Sequence, residues 1–240
     1  MLVKAIGKPR DSYWMRSSIT VCAAADNPLA LAKVFYQGAD KKKDPTSTAW
    51  NDTTDPCTND PLEFTEPYYK ITPDPKPSFT QNITITGGFN ETDHFSFRMN
   101  DVAFRANFNK PVLLLAHQKN FTFEPQWNVY NFGANRTVRL IIKNDFPAAH
   151  PMHLHGHNMF VMYVGPGLDW NGTIVRPENP QRRDVQTLPG FSTLVIDIDM
   201  DNPGVWPLHC HIAWHVSQGL YINILVSAAA RLRCCLSERR

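Results

Sequence analysis

The stretch Trp206-Pro-Leu-His-Cys-His-Ile-Ala-Trp-His-Val-Ser-Gln-Gly-Leu220 constrains this chain more than any other. Between His209 and His215 it carries three imidazoles and one thiol. Read as a strand, it sorts them by parity, because successive side chains leave opposite faces. His209 and His211 then point one way and Cys210 the other. One strand can serve two metal sites in this manner, through a thiolate on one face and two imidazoles on the other. His215 follows Cys210 by five residues, which is room for the chain to turn and return an imidazole to the sulfur. Two His and one Cys with a weak or absent axial partner is the blue-copper pattern. Leu220 lies ten residues past Cys210 and puts an apolar side chain where such an axial ligand would sit.

A second cluster, His150-Pro-Met-His-Leu-His-Gly-His157, places His153, His155 and His157 at period two. On a strand these three share a face. Pro151 disfavours helix at His150 and suggests a turn there, so His150 is expected to face a different site from His153 and His155. Seven of the nine histidines fall in the two clusters, with His94 and His117 apart. A pair of structural zinc sites, or core histidines held by hydrogen bonds, are the plainer readings. Complementary spacing in two clusters favours metal, and a thiol beside imidazoles favours copper.

The two motifs resemble two of the four copper signatures of the laccases, multicopper oxidases, in their fungal form. The likeness extends over about residues 1–226 and is to the C-terminal part of such an enzyme. It implies a cupredoxin-like, Greek-key β-sandwich. It also implies a type 1 copper on His150, Cys210 and His215, with Leu220 in the axial direction. His153 would bind the type 2 copper, and His155, His209 and His211 the type 3 pair. Cys210 would pass electrons to its peptide neighbours His209 and His211, which makes these three the catalytic set. His157 lies beyond the matched ligands and reads equally as an outer hydrogen-bond donor or a core histidine. The implied reaction is one-electron oxidation of phenols or aromatic amines, coupled to reduction of dioxygen to water. The His-Trp-His and His-Ser-His signatures of such enzymes are absent, so this chain offers half of the trinuclear ligands. Its end, Arg231-Leu-Arg-Cys-Cys-Leu-Ser-Glu-Arg-Arg240, also departs from the family's short apolar plug. The chain is therefore expected to be a fragment, a truncated gene product or an altered gene model, and the full cluster to need N-terminal cupredoxin domains. A stand-alone blue-copper electron carrier and a metal-free remnant are the rival readings. His153, His155, His209 and His211 speak against the carrier, which has no use for a second cluster.

Strand signals along the chain agree with an all-β fold. Ile83–Thr86, Phe95–Phe97, Val112–Leu115, Val138–Lys143, Met159–Val164, Leu194–Met200 and Leu220–Ile224 are short apolar or alternating runs between Gly, Pro and Asn turns. This pattern argues for a β-sandwich. Short helices are expected around residues 100–106 and 213–217. Residues 1–36 read as a strand pair, too small for a core, and by resemblance the end of a preceding domain. Residues 37–81 read as a Pro-rich linker that wraps over the surface, residues 82–228 as the copper domain and 229–240 as a basic tail. Trp206, Trp214 and Phe160 flank the clusters and read as shields for the metal or as core, core being favoured for Trp214. Arg182-Arg183-Asp184 reads as a local surface pair. Asp197, Asp199 and Asp201 alternate along a strand without the glycine of a calcium loop, which excludes that site.

Composition narrows the rest. A net charge of +2 and the absence of a basic run argue against nucleic acid. No apolar run is long enough to cross a membrane. Sequons begin at Asn51, Asn82, Asn90, Asn120, Asn135 and Asn171, a density that points to a secreted glycoprotein. The first residues lack a signal peptide, so the N-terminus is expected to be missing. In an oxidising compartment Cys22 and Cys57 are free to pair, a long loop closure worth about 3–4 kcal/mol. Cys234 and Cys235 sit in the tail with no assigned role.

Overall fold

The computed structural model describes residues 7–18, 26–49 and 59–227. The chain divides into two compact units, 1–60 and 61–240. The first contains an antiparallel pair, β1 (Ser12–Ser18) and β2 (Leu29–Phe35). The segment after β2 is tied to it, with Trp14 N–H donating to Ser47 Oγ at 2.8 Å. Cys22 and Cys57 lie outside the described residues, as do Asn51 and the tail.

The second unit holds two sheets. Its strands are β3 (Phe79–Phe89), β4 (Phe95–Met99), β5 (Val129–Asn131), β6 (Thr137–Asn144), β7 (His150–Leu154) and β8 (Met159–Pro166). They continue with β9 (Gln181–Arg183), β10 (Val185–Leu188), β11 (Ser192–Asp199), β12 (Gly204–Cys210) and β13 (Tyr221–Val226). One sheet runs β10-β7-β12-β13-β5, the other β4-β3-β6-β11-β8-β9. Alternation dictates what each strand buries. In β6, Val138, Leu140 and Ile142 are fully buried; in β11, Leu194, Ile196 and Ile198 meet them. From the other sheet, Met152, Leu154, Leu208, Cys210, Ile222 and Ile224 enter the same core. Truncating one such aliphatic to Ala costs about 2–5 kcal/mol. The Pro-rich segment from residue 61 straps this unit. Leu62 enters the core, Asn179 Nδ2 donates to Pro67 O at 3.0 Å, and Arg176 pairs with Glu66 at 3.0 Å.

Four expectations need correction. Val112–Leu115 is not a strand but most of helix α1 (Val112–His117), whereas 100–106 is not helical. Pro111 sets the extended entry to α1, and a short apolar run alone does not distinguish strand from helix. The second expected helix, α2 (Ala213–Ser217), is present. Phe160 does not flank the metal cluster. Met159 and Val161 enter the main core, while Phe160 and Met162 point to the other side of the same sheet. Trp214 is not core but 69% exposed. On that outer face Arg139 and Asp197 form a buried, two-pronged ion pair at 2.7 Å, which accounts for Asp197 without calcium.

Candidate metal centre

Two adjacent strands of the five-stranded sheet position the site. β7 and β12 are antiparallel, with Leu154 opposite Leu208, His153 opposite His209 and Met152 opposite Cys210. His150, two residues before Met152, therefore shares the inner face with Cys210, and both are fully buried. Strand parity, rather than a turn at Pro151, separates His150 from His153. Beyond Cys210 the chain turns through α2 and returns. Leu220 N–H donates to His215 O at 2.9 Å, and Cys210 N–H to Leu220 O at 3.3 Å. These bonds bring His215 Nδ1 to 3.4 Å from the Cys210 sulfur and 3.3 Å from His150 Nδ1. His150, Cys210 and His215 are the one group among the described residues in which three potential ligand atoms lie within 4.8 Å of one another.

The electrostatics suit a soft cation. Burial, with the nearby His215 adding to it, pulls His150 down to about 4, and burial lowers His215 as well. Both imidazoles are thus neutral at pH 7. Burial pushes the Cys210 thiol up to about 11, against the backbone N–H of Ile212. The sulfur keeps its proton until a cation displaces it, so that binding releases a proton. Two imidazole nitrogens 3.3 Å apart share at most one proton, which leaves at least one lone pair aimed into the space between the three donors. Two neutral His and one Cys, with His150 and Cys210 fully buried and His215 half-buried, fit a type-1-like copper. Leu220 is fully buried and enters the same core as Cys210.

The opposite face of β7 and β12 gathers four imidazoles. Ring centroids of His153 and His155 are 4.7 Å apart, of His155 and His209 5.1 Å, of His153 and His211 5.3 Å, and of His209 and His211 6.0 Å. His209 Nδ1–H donates to Cys210 O at 2.7 Å, and His153 Nδ1–H to Asp184 O at 2.9 Å. In each ring this leaves the lone pair on Nε2. His155 Nε2 lies 3.0 Å from His209 Nε2. Burial lowers both His155 and His209, and neighbouring imidazoles add to it in each. His157 stands apart, its ring edge-on to Trp206 at 5.7 Å. Sequence reasoning read Asp184 as half of a local surface pair and missed its carbonyl as the anchor of His153. No sequence signal marks a backbone acceptor of this kind.

A family model described as multicopper oxidase matches residues 74–230. The chain belongs to the multicopper oxidase family. It is 30% identical over 227 residues to Laccase-1 of Botryotinia fuckeliana, covering 92% of this chain and 39% of that protein. It is 33% identical over 234 residues to Oxidoreductase OpS5 of Beauveria bassiana, covering 90% and 38%. The crystal structure of the laccase from Botrytis aclada superposes with a TM-score of 0.74 at 27% identity, over 93% of this chain and 42% of that one. The chain thus spans about two fifths of the length of these relatives. As a multicopper oxidase domain it has a cupredoxin-like sheet topology, and His150, Cys210 and His215 form its type-1-like copper site. Among its described residues it holds no complete trinuclear ligand set.

Proposed function

We propose that this chain is the C-terminal copper-binding part of a laccase-like oxidase. The whole enzyme would oxidise phenols or aromatic amines one electron at a time and reduce dioxygen to water. The observation that carries this reading is the two-faced ladder of β7 and β12, with a thiol and two imidazoles inside and four imidazoles outside. Copper at the inner site supplies one-electron redox chemistry. His215, half-buried beside exposed Trp214, is the ligand nearest solvent and the entry point for electrons from an aromatic reductant. Leu220, buried in the same core as Cys210, would lie beside the copper without donating to it. With copper bound, the peptide bonds that join Cys210 to His209 and His211 would offer a path for electrons between the two faces. His153 is assigned to the type 2 copper, and His155, His209 and His211 to the type 3 pair. The imidazoles that complete this cluster come from outside the chain. The strand pair of residues 1–36 fits the end of a preceding cupredoxin domain, and the sequons fit secretion. A simple electron carrier leaves the outer four imidazoles without a purpose.

Stopped-flow mixing of the copper-loaded chain with a phenol tests the reading. The visible charge-transfer band should bleach with one electron per chain, and oxygen uptake should not continue catalytically. Failure of phenols and aromatic amines to bleach the band would rule out the substrate class. Sustained oxygen uptake, lost in a His209→Ala, His211→Ala double variant, would show that the chain completes its own cluster.

A further inference from the structure

The type-1-like site has a wall that comes from the opposite sheet. Phe97, on the edge strand β4, is 2% exposed. Its ring lies 5.0 Å from the His150 imidazole, edge to face at 85°, and 4.6 Å from that of His215. Among the described rings it is the one aromatic side chain in contact with both ligands; Phe146 reaches His150 alone, at 6.1 Å. Its backbone is fastened to the ligand loop as well. Phe97 N–H donates to Gln218 O at 2.8 Å. Gly219, at φ +104°, approaches so closely that a Cβ there would lie 2.7 Å from Phe97 O. Phe95 and Phe146 back the ring at 5.0 and 5.1 Å, and Gly87 gives them room, since a Cβ at that position would strike Phe146.

We propose that Phe97 is a positioning residue of the copper site, which holds the His150 and His215 imidazoles at their converging angle and keeps water from the metal. The inference rests on the copper reading of His150, Cys210 and His215. A metal pocket closed by an apolar ring favours Cu(I), the less strongly hydrated ion, and so raises the potential. A ring that touches both imidazoles also fixes them before metal arrives, which preserves affinity because little freedom is lost on binding.

The test is a spectroelectrochemical titration of the copper-loaded chain, followed through its visible band, with copper(II) electron paramagnetic resonance. Phe97→Leu and Phe97→Met keep an apolar side chain but lose the flat ring. Both are expected to stay blue and to shift the Cu(I)-to-Cu(II) binding ratio about tenfold towards Cu(II), which for one electron is about 59 mV lower. The copper hyperfine lines should broaden as the imidazole angles spread. Phe95→Leu disturbs the same aromatic cluster without contact to either imidazole, and should leave the potential unchanged. A wild-type potential in both Phe97 variants, or an equal shift in Phe95→Leu, overturns the proposal. A reading on the unsubstituted, copper-free chain does not depend on variant folding: the His150 and His215 ring protons should show sharp signals and cross-relaxation to the Phe97 ring. Mobile imidazoles there overturn it too. Absence of a blue band in the unsubstituted chain would instead sink the copper reading, so the two failures are distinct.

Discussion

Cys210 is the residue on which the inner site depends. It is fully buried, its thiol is held protonated by that burial, and a soft cation is its natural counterpart. Cys210→Ser should abolish the intense visible band of the copper-loaded chain, because a hydroxyl does not replace the thiolate. Retention of the band in an absorption spectrum would refute the assignment. Leu220 makes a graded test. Its main chain bonds to both Cys210 and His215, so its side chain is held beside the ligands. Leu220→Met would add a weak thioether donor and should lower the reduction potential by stabilising Cu(II); a redox titration showing no change or a rise would count against Leu220 as the axial residue. Cys210 was legible in the sequence because parity needs only spacing. Phe97 was not, since a phenylalanine in a short apolar run looks like any core residue. Its role comes from a sheet whose packing no local pattern encodes.

At the scale of elements, the loop from α2 to β13 sets the geometry of the site. Gly219 has a positive φ of +104°, and an added Cβ would meet the carbonyl of Phe97 at 2.7 Å and Ala103 at 3.1 Å. Gly219→Ala should therefore destabilise the chain by about 1–3 kcal/mol and weaken the blue band, as His215 and Leu220 are displaced together. Denaturant unfolding with the visible spectrum checks this; an unchanged midpoint would show that the loop yields without strain. The alternating runs of β6, β11 and β13 could be read directly, because an apolar residue recurs at every second position and enters the main core. Helix α1 could not. Its residues Val112–Leu115 are apolar, yet none of the helix is buried, so the run carries no periodicity that favours one state over the other.

Across the whole molecule, the all-β architecture was visible in the rhythm of strands and turns, but its wiring was not. The parallel pairings of β3 with β6 and of β5 with β13 join segments far apart in sequence, and such pairing leaves no trace in either segment alone. The copper site shares that property. His150 belongs to β7, whereas Cys210 and His215 come some sixty residues later, and the Phe97 wall comes from the other sheet. The three donors come together only once β7 has paired with β12 across that stretch of chain, and contacts of such long range form late and slowly. Colour is then a report on completion. A ligand that binds only the closed state also shifts the folding balance towards it. The blue band and the backbone circular dichroism should therefore be lost at the same denaturant concentration, with the midpoint raised by copper. Loss of colour well before loss of β-structure would mean that the site opens on its own. If the two coincide, a chain that has turned blue is a chain that has finished folding.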